Sequence, residues 1–68
     1  MTPDRESILR LLAAQPSPGL PVSVGGIAIG CAISRTDAVA QLAALEHIGL
    51  VAWVPYGWYA TERGRLAP

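Results

Sequence analysis

Few side chains in this 68-residue chain have the chemistry needed for catalysis or metal binding. Cys31 is the only cysteine and His47 the only histidine, so neither has the partner ligands that a zinc site requires. Ser23 and Ser34 stand where helices are expected to begin, which favours capping over a nucleophilic role. The chain has no lysine with which to complete a glycine-rich phosphate loop. We therefore expect a protein that is not an enzyme and that holds no cofactor and no metal.

Arg35 and Thr36 are better placed for chemistry, because they directly follow Ser34 at the expected start of a helix. A guanidinium group can donate two hydrogen bonds to the edge of a guanine, or it can hold a phosphate. Ser34 and the free backbone amides of a helix start can also bind a phosphate. This combination can bind an anion such as a phosphate. The alternative is that both side chains are simply solvated in the first turn of the helix.

Charge and hydropathy limit what kind of binding protein this can be. Five arginines balance five acidic residues, which argues against a protein that coats DNA regardless of sequence. The apolar content of 51% is high for so short a chain, so some apolar surface is expected to meet a protein partner or a second copy in a homodimer. Residues 11–34 carry no charge, but prolines interrupt them, and no membrane-spanning segment is expected. A lone cysteine favours a reducing, cytoplasmic location.

The elements that must position these residues begin with a helix at the amino terminus. Thr2 and Pro3 suit its start, and it should end near Gln15. The side chains expected to face inward are Ile8, Leu11 and Leu12, with Leu9 at the margin. Segment 16–21 contains three prolines and is a loop by composition.

A second helix is predicted from a cap at Ser23 to about Cys31. Its inward face is expected to consist of Val24, Ile27, Ala28 and Cys31. Ile29 should point outward. Gly25, Gly26 and Gly30 are poor helix formers, so this is the weakest of the helical patterns.

A third helix is predicted over residues 34–48, because Ser34 and Asp37 have the spacing of a capping box and Gly49 can end the helix. Its inward side chains should be Ala38, Leu42 and Leu45, flanked by Gln41 and Ile48. Its outward side chains should be Thr36, Ala40, Ala43 and His47, with Arg35 and Val39 at the edges. Leu50 should then enter the core.

Segments 50–54 and 58–61 are rich in β-branched and aromatic residues and predict a β-hairpin. Pro55, Tyr56 and Gly57 should form its turn. Trp58 is expected in the core, by alternation with Ala60, whereas Trp53 and Tyr59 should be partly exposed. Residues 61–64 should leave the sheet in a last helical turn.

Four sequence segments occur in an ordered set: residues 23–34, ISRTDAV at 33–39, LAALEHIGLV at 42–51 and WYATERG at 58–64. Together they resemble the winged helix-turn-helix of bacterial transcription regulators of the multiple-antibiotic-resistance and arsenic-repressor types. The first is similar to the second helix and turn of that family, and the next two are similar to its recognition helix and the entry to its wing. The last is similar to the second wing strand and its exit. The resemblance implies an α+β fold, with three helices followed by a two-stranded β-hairpin wing, and one domain over residues 1–68.

The resemblance also implies a function, namely sequence-specific binding of double-stranded DNA by a small bacterial or phage-type regulator, with helix 34–48 in the major groove. The residues implied in DNA contact are Ser34, Arg35, Thr36, Val39, Ala40, Tyr56 and Arg63. Thr36, Val39 and Ala40 would touch thymine methyl groups. Tyr56, at the tip of the wing, would reach a phosphate or the minor groove, although a turn aromatic that covers the sheet is an equal alternative.

Four departures from the family pattern keep a second function open. The family often has a polar or acidic residue at Gly26, glycine at Ala32, and polar or basic residues at Val39 and Ala40. An apolar strip on the third helix, together with Ile29, would suit a winged-helix protein–protein interaction module that does not bind DNA.

Overall fold

The computed structural model describes residues 3–16 and 20–66. Within them, four helices and one hairpin follow one another in an α+β arrangement, which confirms the expected class. The elements are α1 (Pro3–Ala13), α2 (Val24–Cys31), α3 (Arg35–His47), β1 (Val51–Val54), β2 (Gly57–Ala60) and α4 (Glu62–Leu66). The last of these is longer than the single helical turn that the sequence predicted. No helix in the described segments is long and apolar enough to cross a membrane.

Helix α1 faces the core with the side that the sequence pattern predicted. Ile8 and Leu12 are buried, and Leu11 is half-buried and packs against the core. Leu9, expected at the margin, is buried as well, and α4 covers it, because a Cβ built on Gly64 would lie 3.2 Å from a methyl of Leu9. The inward stripe is therefore wider on the side of this additional helix.

The ends of α1 also differ in part from the expectation. The helix stops at Ala13 rather than near Gln15, although the Ala14 amide still donates to the Arg10 carbonyl at 3.0 Å. The predicted cap at Thr2 and most of the predicted loop, at residues 17–19, lie outside the described residues. Within the helix, Arg5 Nε donates to Gln41 Oε1 at 2.6 Å and so ties α1 to α3.

Helices α2 and α3 begin at the two predicted serine caps. Ser23 Oγ accepts a hydrogen bond from the Gly26 amide at 3.1 Å, and Ser34 Oγ accepts one from the Asp37 amide at 3.0 Å. Each bond satisfies one amide that the first helical turn would otherwise leave free. The inward residues of α3 are as predicted, and they are fully buried. Ile27 and Ala28 of α2 were also predicted to face inward, and at least 95% of each is buried. The three buried residues of α3 are Ala38, Leu42 and Leu45.

The turn between α2 and α3 uses a left-handed residue. Ala32 ends α2 with φ 56° and ψ 45°, and its amide donates to the carbonyls of Ala28 and Ile29. A left-handed conformation brings Cβ close to the following carbonyl, which costs an alanine about 1 kcal/mol relative to glycine. The turn therefore stores a small strain at a position where the sequence resemblance leads one to expect glycine.

Strands β1 and β2 pair antiparallel, with Trp53 directly opposite Trp58 and Val54 opposite Gly57. Gly57 thus belongs to β2, and the turn is the two residues Pro55 and Tyr56 rather than the predicted three. Trp58 is half-buried and packs against the core, which agrees with its predicted inward side.

A third backbone segment joins this hairpin, which the sequence analysis did not foresee. The Val22 amide donates to the Trp58 carbonyl at 2.8 Å, and the Trp58 amide donates to the Val22 carbonyl at 2.9 Å. Gly57 permits this approach, because a Cβ there would overlap the Val22 carbonyl oxygen. Its φ of 144° is also one that residues with a side chain rarely adopt.

The segment Thr61–Gly64 joins the hairpin to the end of α3. Thr61 Oγ1 donates to the Gly49 carbonyl at 2.7 Å and accepts from the Gly64 amide at 3.2 Å, so one hydroxyl both caps α4 and holds the exit of α3. The Thr61 amide donates to the Leu50 carbonyl at 3.0 Å. A Cβ on Gly64 would overlap that same carbonyl. The threonine and the glycine of the Thr-Glu-Arg-Gly segment are therefore explained by hydrogen bonding and packing at this junction.

Candidate nucleic-acid interface

One concave surface, which we call the hairpin groove, lies where α2 and α3 begin and the hairpin turns. It has a volume of about 430 Å³. Its lining includes Gly25 from α2, Arg35 from α3, and Trp53, Pro55, Tyr56 and Gly57 from the hairpin. Residues far apart in sequence therefore meet at the start of α3, where the sequence analysis had singled out Arg35.

The contact between Val22 and β2 creates this groove. Because Val22 is hydrogen-bonded to Trp58, the cap residue Ser23 must follow immediately beside the hairpin. Helix α2 then starts next to the hairpin turn, and its first residues line the groove.

The electrostatic character of the hairpin groove comes from two helix starts and one cation. The amides of Val24 and Gly25 in α2, and those of Arg35 and Thr36 in α3, precede the amides capped by serine and have no intrahelical acceptor. Helix N-termini carry a partial positive charge. Arg35 is exposed and has no hydrogen-bond or ion-pair partner among the described residues. The groove therefore favours an anionic ligand, although the chain as a whole has no net charge.

The outward face of α3 continues from this groove and carries the residues expected there. Ser34, Thr36 and Ala40 are exposed, and the Val39 side chain is 50% exposed. Beyond Thr36, the middle of this face, formed by Val39, Ala40 and Ala43, presents only aliphatic groups. It offers no side-chain donor or acceptor to a base until Glu46 and His47, near the helix end.

Tyr56 occupies the tip of the hairpin and is 82% exposed. It lines the same groove as Arg35, so the structure brings together these two residues that sequence analysis had proposed separately. A side chain this exposed does not cover the sheet. Its hydroxyl is therefore free to meet a ligand in the groove.

Arg63 lies elsewhere in the molecule. A Cβ on Gly49 would lie 3.1 Å from an Nη atom of Arg63, which places this guanidinium at the end of α3. Helix α3 has 13 residues, so about 20 Å separates that end from Arg35. The structure does not bring Arg63 into the hairpin groove, and a cation beside a helix C-terminus is stabilising in its own right.

Trp53 is a groove residue that the sequence analysis did not assign to the site. It is 58% exposed and directly opposite Trp58 across the hairpin. The alternation of strand residues correctly predicted its exposure. The pattern could not show that the exposed side also faces Arg35, because that depends on how the hairpin packs on α2.

A second concave surface, which we call the cysteine groove, lies at the other end of α2. It has a volume of about 400 Å³, and its lining includes Ser7, Arg10, Leu11, Gly30, Cys31 and Ala32. Burial raises the pKa of the Cys31 thiol above its ordinary value, and the negative charge of Asp4 raises this pKa further. The thiolate form of Cys31 is therefore disfavoured at this end of α2.

We compared the chain with protein families, with curated proteins and with solved structures. No protein-family model, no curated protein and no solved structure matches the chain. Within residues 3–16 and 20–66, no three side chains of the metal-binding types come together to hold an ion.

Proposed function

We propose that the chain is a winged-helix domain that binds double-stranded DNA in a sequence-specific manner, as a small transcriptional regulator. In this arrangement α3 lies in the major groove and the hairpin is the wing beside the DNA backbone. The observation that carries the proposal is the meeting of Arg35, Tyr56 and two helix N-termini in the hairpin groove. These groups are suited to a phosphate backbone and are continuous with an exposed helix face.

The order and packing of the elements support this proposal. Helices α2 and α3 contact each other and are joined by the short turn 32–34, as in a helix-turn-helix. The hydrogen bonds between Val22 and Trp58 hold the start of α2 against the hairpin, so the distance between this helix start and the hairpin tip is fixed. An α-helix with its side chains is about 10–12 Å across, which matches a major groove about 12 Å wide.

The small number of charges defines the mode of binding. Arg35 is the one cation that lines the hairpin groove among the described residues. One guanidinium and a few amides neutralise few phosphates, so affinity without sequence recognition should be low and its salt dependence shallow. A single module also covers a modest area of DNA, so useful specificity needs a homodimer or neighbouring copies.

The test compares Arg35→Ala with Arg10→Ala, which removes the same charge from the cysteine groove. The ligand is a duplex enriched by the wild-type protein from a pool of randomised 25-base-pair sequences, and binding is followed by fluorescence anisotropy. Arg35→Ala should weaken binding about 10-fold or more, the value of a lost bidentate contact to guanine. Arg10→Ala should change it less than about two-fold. Circular dichroism establishes that both variants are folded.

Equal losses in the two variants would mean that only overall charge matters, and unchanged binding by Arg35→Ala would refute the groove assignment. A rival function, protein–protein interaction without DNA binding, is supported by the exposed aliphatic side chains of Ile29, 85% exposed, and Val39. Failure of a folded protein to enrich any duplex at low salt would favour that rival over the DNA proposal.

A further inference from the structure

Three aromatic side chains line the hairpin groove, and phosphate binding does not explain them. Trp53, Tyr56 and Trp58 all contribute to its wall. Trp53 is 58% exposed and Tyr56 is 82% exposed, whereas Trp58 is half-buried against the core. Apolar surface left in water carries a cost, so exposed rings gathered in one concave surface indicate a ligand that covers them.

The backbone that carries the two tryptophans is fixed before any ligand binds. Trp53 lies directly opposite Trp58 in the hairpin, and the Trp58 amide and carbonyl are both hydrogen-bonded to Val22. Trp53 is therefore presented from a paired strand rather than from a free loop. A site whose backbone is already ordered loses less conformational freedom when a ligand occupies it.

The combination of aromatic rings with one cation defines the chemistry of the ligand. Arg35 lines the same groove, and no acidic side chain does so among the described residues. A nucleobase stacks on an aromatic ring whatever its identity, and a phosphate pairs with a guanidinium group. A nucleotide carries both groups on one sugar. In a duplex both faces of a base are covered by its neighbours, so only an unpaired nucleotide offers a face for stacking.

We infer that the hairpin groove binds one unpaired nucleotide, with its base stacked on Trp53 and its phosphate beside Arg35. The groove volume of about 430 Å³ lies in the range of sites for small ligands, roughly 300–1,000 Å³. This inference goes beyond the proposed function, in which α3 reads paired bases and the hairpin meets only the DNA backbone. A free nucleotide and a nucleotide within a single strand share this chemistry, and the experiment separates them.

The experiment titrates the full chain at low salt and follows the amide NMR signals of the groove residues. The probes are a single strand of four thymidines, an abasic strand of the same length, and thymidine 5′-monophosphate. The thymidine strand should bind about ten-fold more tightly than the abasic strand, the effect of stacking one base on an aromatic ring. Equal binding of the two strands would overturn the inference, because sugar and phosphate alone would then be the ligand.

The monophosphate identifies the source of the nucleotide. If it binds as tightly as the thymidine strand, the groove takes a free nucleotide. If it binds more weakly while the thymidine strand still binds more tightly than the abasic one, the groove takes a nucleotide within a strand. Either result supports the inference, and the two differ only in the source.

The matched variants are Trp53→Leu and Tyr59→Leu. Tyr59 lies opposite Ala52 in the same hairpin and next to Trp58, so its side chain points to the other face. Trp53→Leu should weaken binding of the thymidine strand about ten-fold and leave the abasic strand unchanged, whereas Tyr59→Leu should change neither. Trp53→Phe should restore part of the loss. Unchanged binding by a folded Trp53→Leu protein would overturn the inference.

The results for single strands and for duplexes are independent of each other. If no single strand and no monophosphate binds while Arg35→Ala weakens binding of the enriched duplex, the inference is overturned and the proposed function stands. If the thymidine strand binds through Trp53 while no duplex is enriched, the inference stands and the proposed function fails.

Discussion

The two grooves at opposite ends of α2 are similar in size and in formal charge, yet they differ in how well each suits an anionic ligand. The hairpin groove and the cysteine groove have volumes of about 430 and 400 Å³, and each is lined by one arginine, Arg35 or Arg10. A count of charged residues would treat them alike. The difference between them is the direction of the helices.

Helix polarity decides between the grooves. The hairpin groove lies at the N-termini of α2 and α3, whereas the cysteine groove lies at the C-terminus of α2. The helix dipole adds positive potential at the first and negative potential at the second. Asp4 adds a negative charge near Cys31 as well. A neutral protein can therefore offer one site suited to phosphates, and the site cannot be located from arginines alone.

The largest expected effect is that of Gly57→Ala in the hairpin groove, and Gly30→Ala in the cysteine groove is its matched control. Gly57→Ala places Cβ on the Val22 carbonyl oxygen at a φ of 144°, so the contact that forms the hairpin groove must break. We expect a loss of about 3 kcal/mol in the free energy of unfolding. The Cβ of Gly30→Ala meets only the two methyls of Leu11, at 3.3 and 3.6 Å, and the alanine gains helix propensity. Its expected change lies between zero and a gain of about 1 kcal/mol.

Urea denaturation followed by tryptophan fluorescence measures both changes, since Trp58 is half-buried beside Gly57. Both variants add the same atoms, so a difference in their stability reports on the surroundings of each glycine. If the urea concentration at the unfolding midpoint is the same for Gly57→Ala and the wild type, Val22 does not approach β2 as closely as the structure shows. If Gly30→Ala is equally damaging, the two grooves do not differ in packing.

The parts of the fold that depend on local chemistry were predictable from the sequence. The caps at Ser23 and Ser34, the inward side of α3 and the stop at Gly49 follow from hydrogen-bonding and helical periodicity over a few residues. The larger differences came from contacts between distant segments. Leu9 is buried rather than marginal because α4 packs on α1, and the sequence showed α4 as no more than a final turn.

The candidate site shows the same division. Arg35 was proposed from its position after a cap and Tyr56 from its position in a turn, but their meeting in the hairpin groove depends on the Val22–Trp58 hydrogen bonds. A single valine between two loop residues carries no strand periodicity, so nothing in the sequence indicated this contact. Arg63 shows the opposite case, because its position in the chain suggested the hairpin while its guanidinium lies at the end of α3.

A smaller effect is expected where the cysteine groove borders the turn after α2. Ala32 has a left-handed φ of 56°, so Ala32→Gly should relieve strain and stabilise the fold by about 1 kcal/mol. Gly49, which follows α3 with φ 80°, provides the reverse exchange. Gly49→Ala should destabilise by about the same amount, since its Cβ would also meet the flexible end of Arg63.

Thermal unfolding is a suitable measure, because 1 kcal/mol shifts the midpoint by roughly 4–8 °C in a domain of this size. The two exchanges should move the midpoint in opposite directions. A lower midpoint for Ala32→Gly would show that the entropy gained by the unfolded chain exceeds the strain that the glycine relieves.

The smallest predicted effect tests groove polarity directly, with a thiol as the reporter. The thiolate is an anion, so its surroundings affect the pKa. Burial is the larger cause that raises the pKa of Cys31 above its ordinary value, and the negative charge of Asp4 is the smaller one. A matched reporter is Gly25→Cys in a Cys31→Ser background, because nothing lies within 4 Å of a Cβ at Gly25. A helix start lowers a thiol pKa, so this cysteine should react with iodoacetamide near neutral pH at least about three-fold faster than Cys31.

The measurement is the alkylation rate between pH 7 and pH 10, referred to the same protein unfolded in urea. For Cys31 the pKa is raised by folding, so the folded thiol stays protonated to higher pH and the rate rises later than in urea. Asp4→Asn should move this rise toward lower pH, whereas Glu6→Gln, an equal charge change on α1, should not. If both cysteines titrate alike, helix polarity does not distinguish the grooves, and Arg35 alone would have to attract the phosphate.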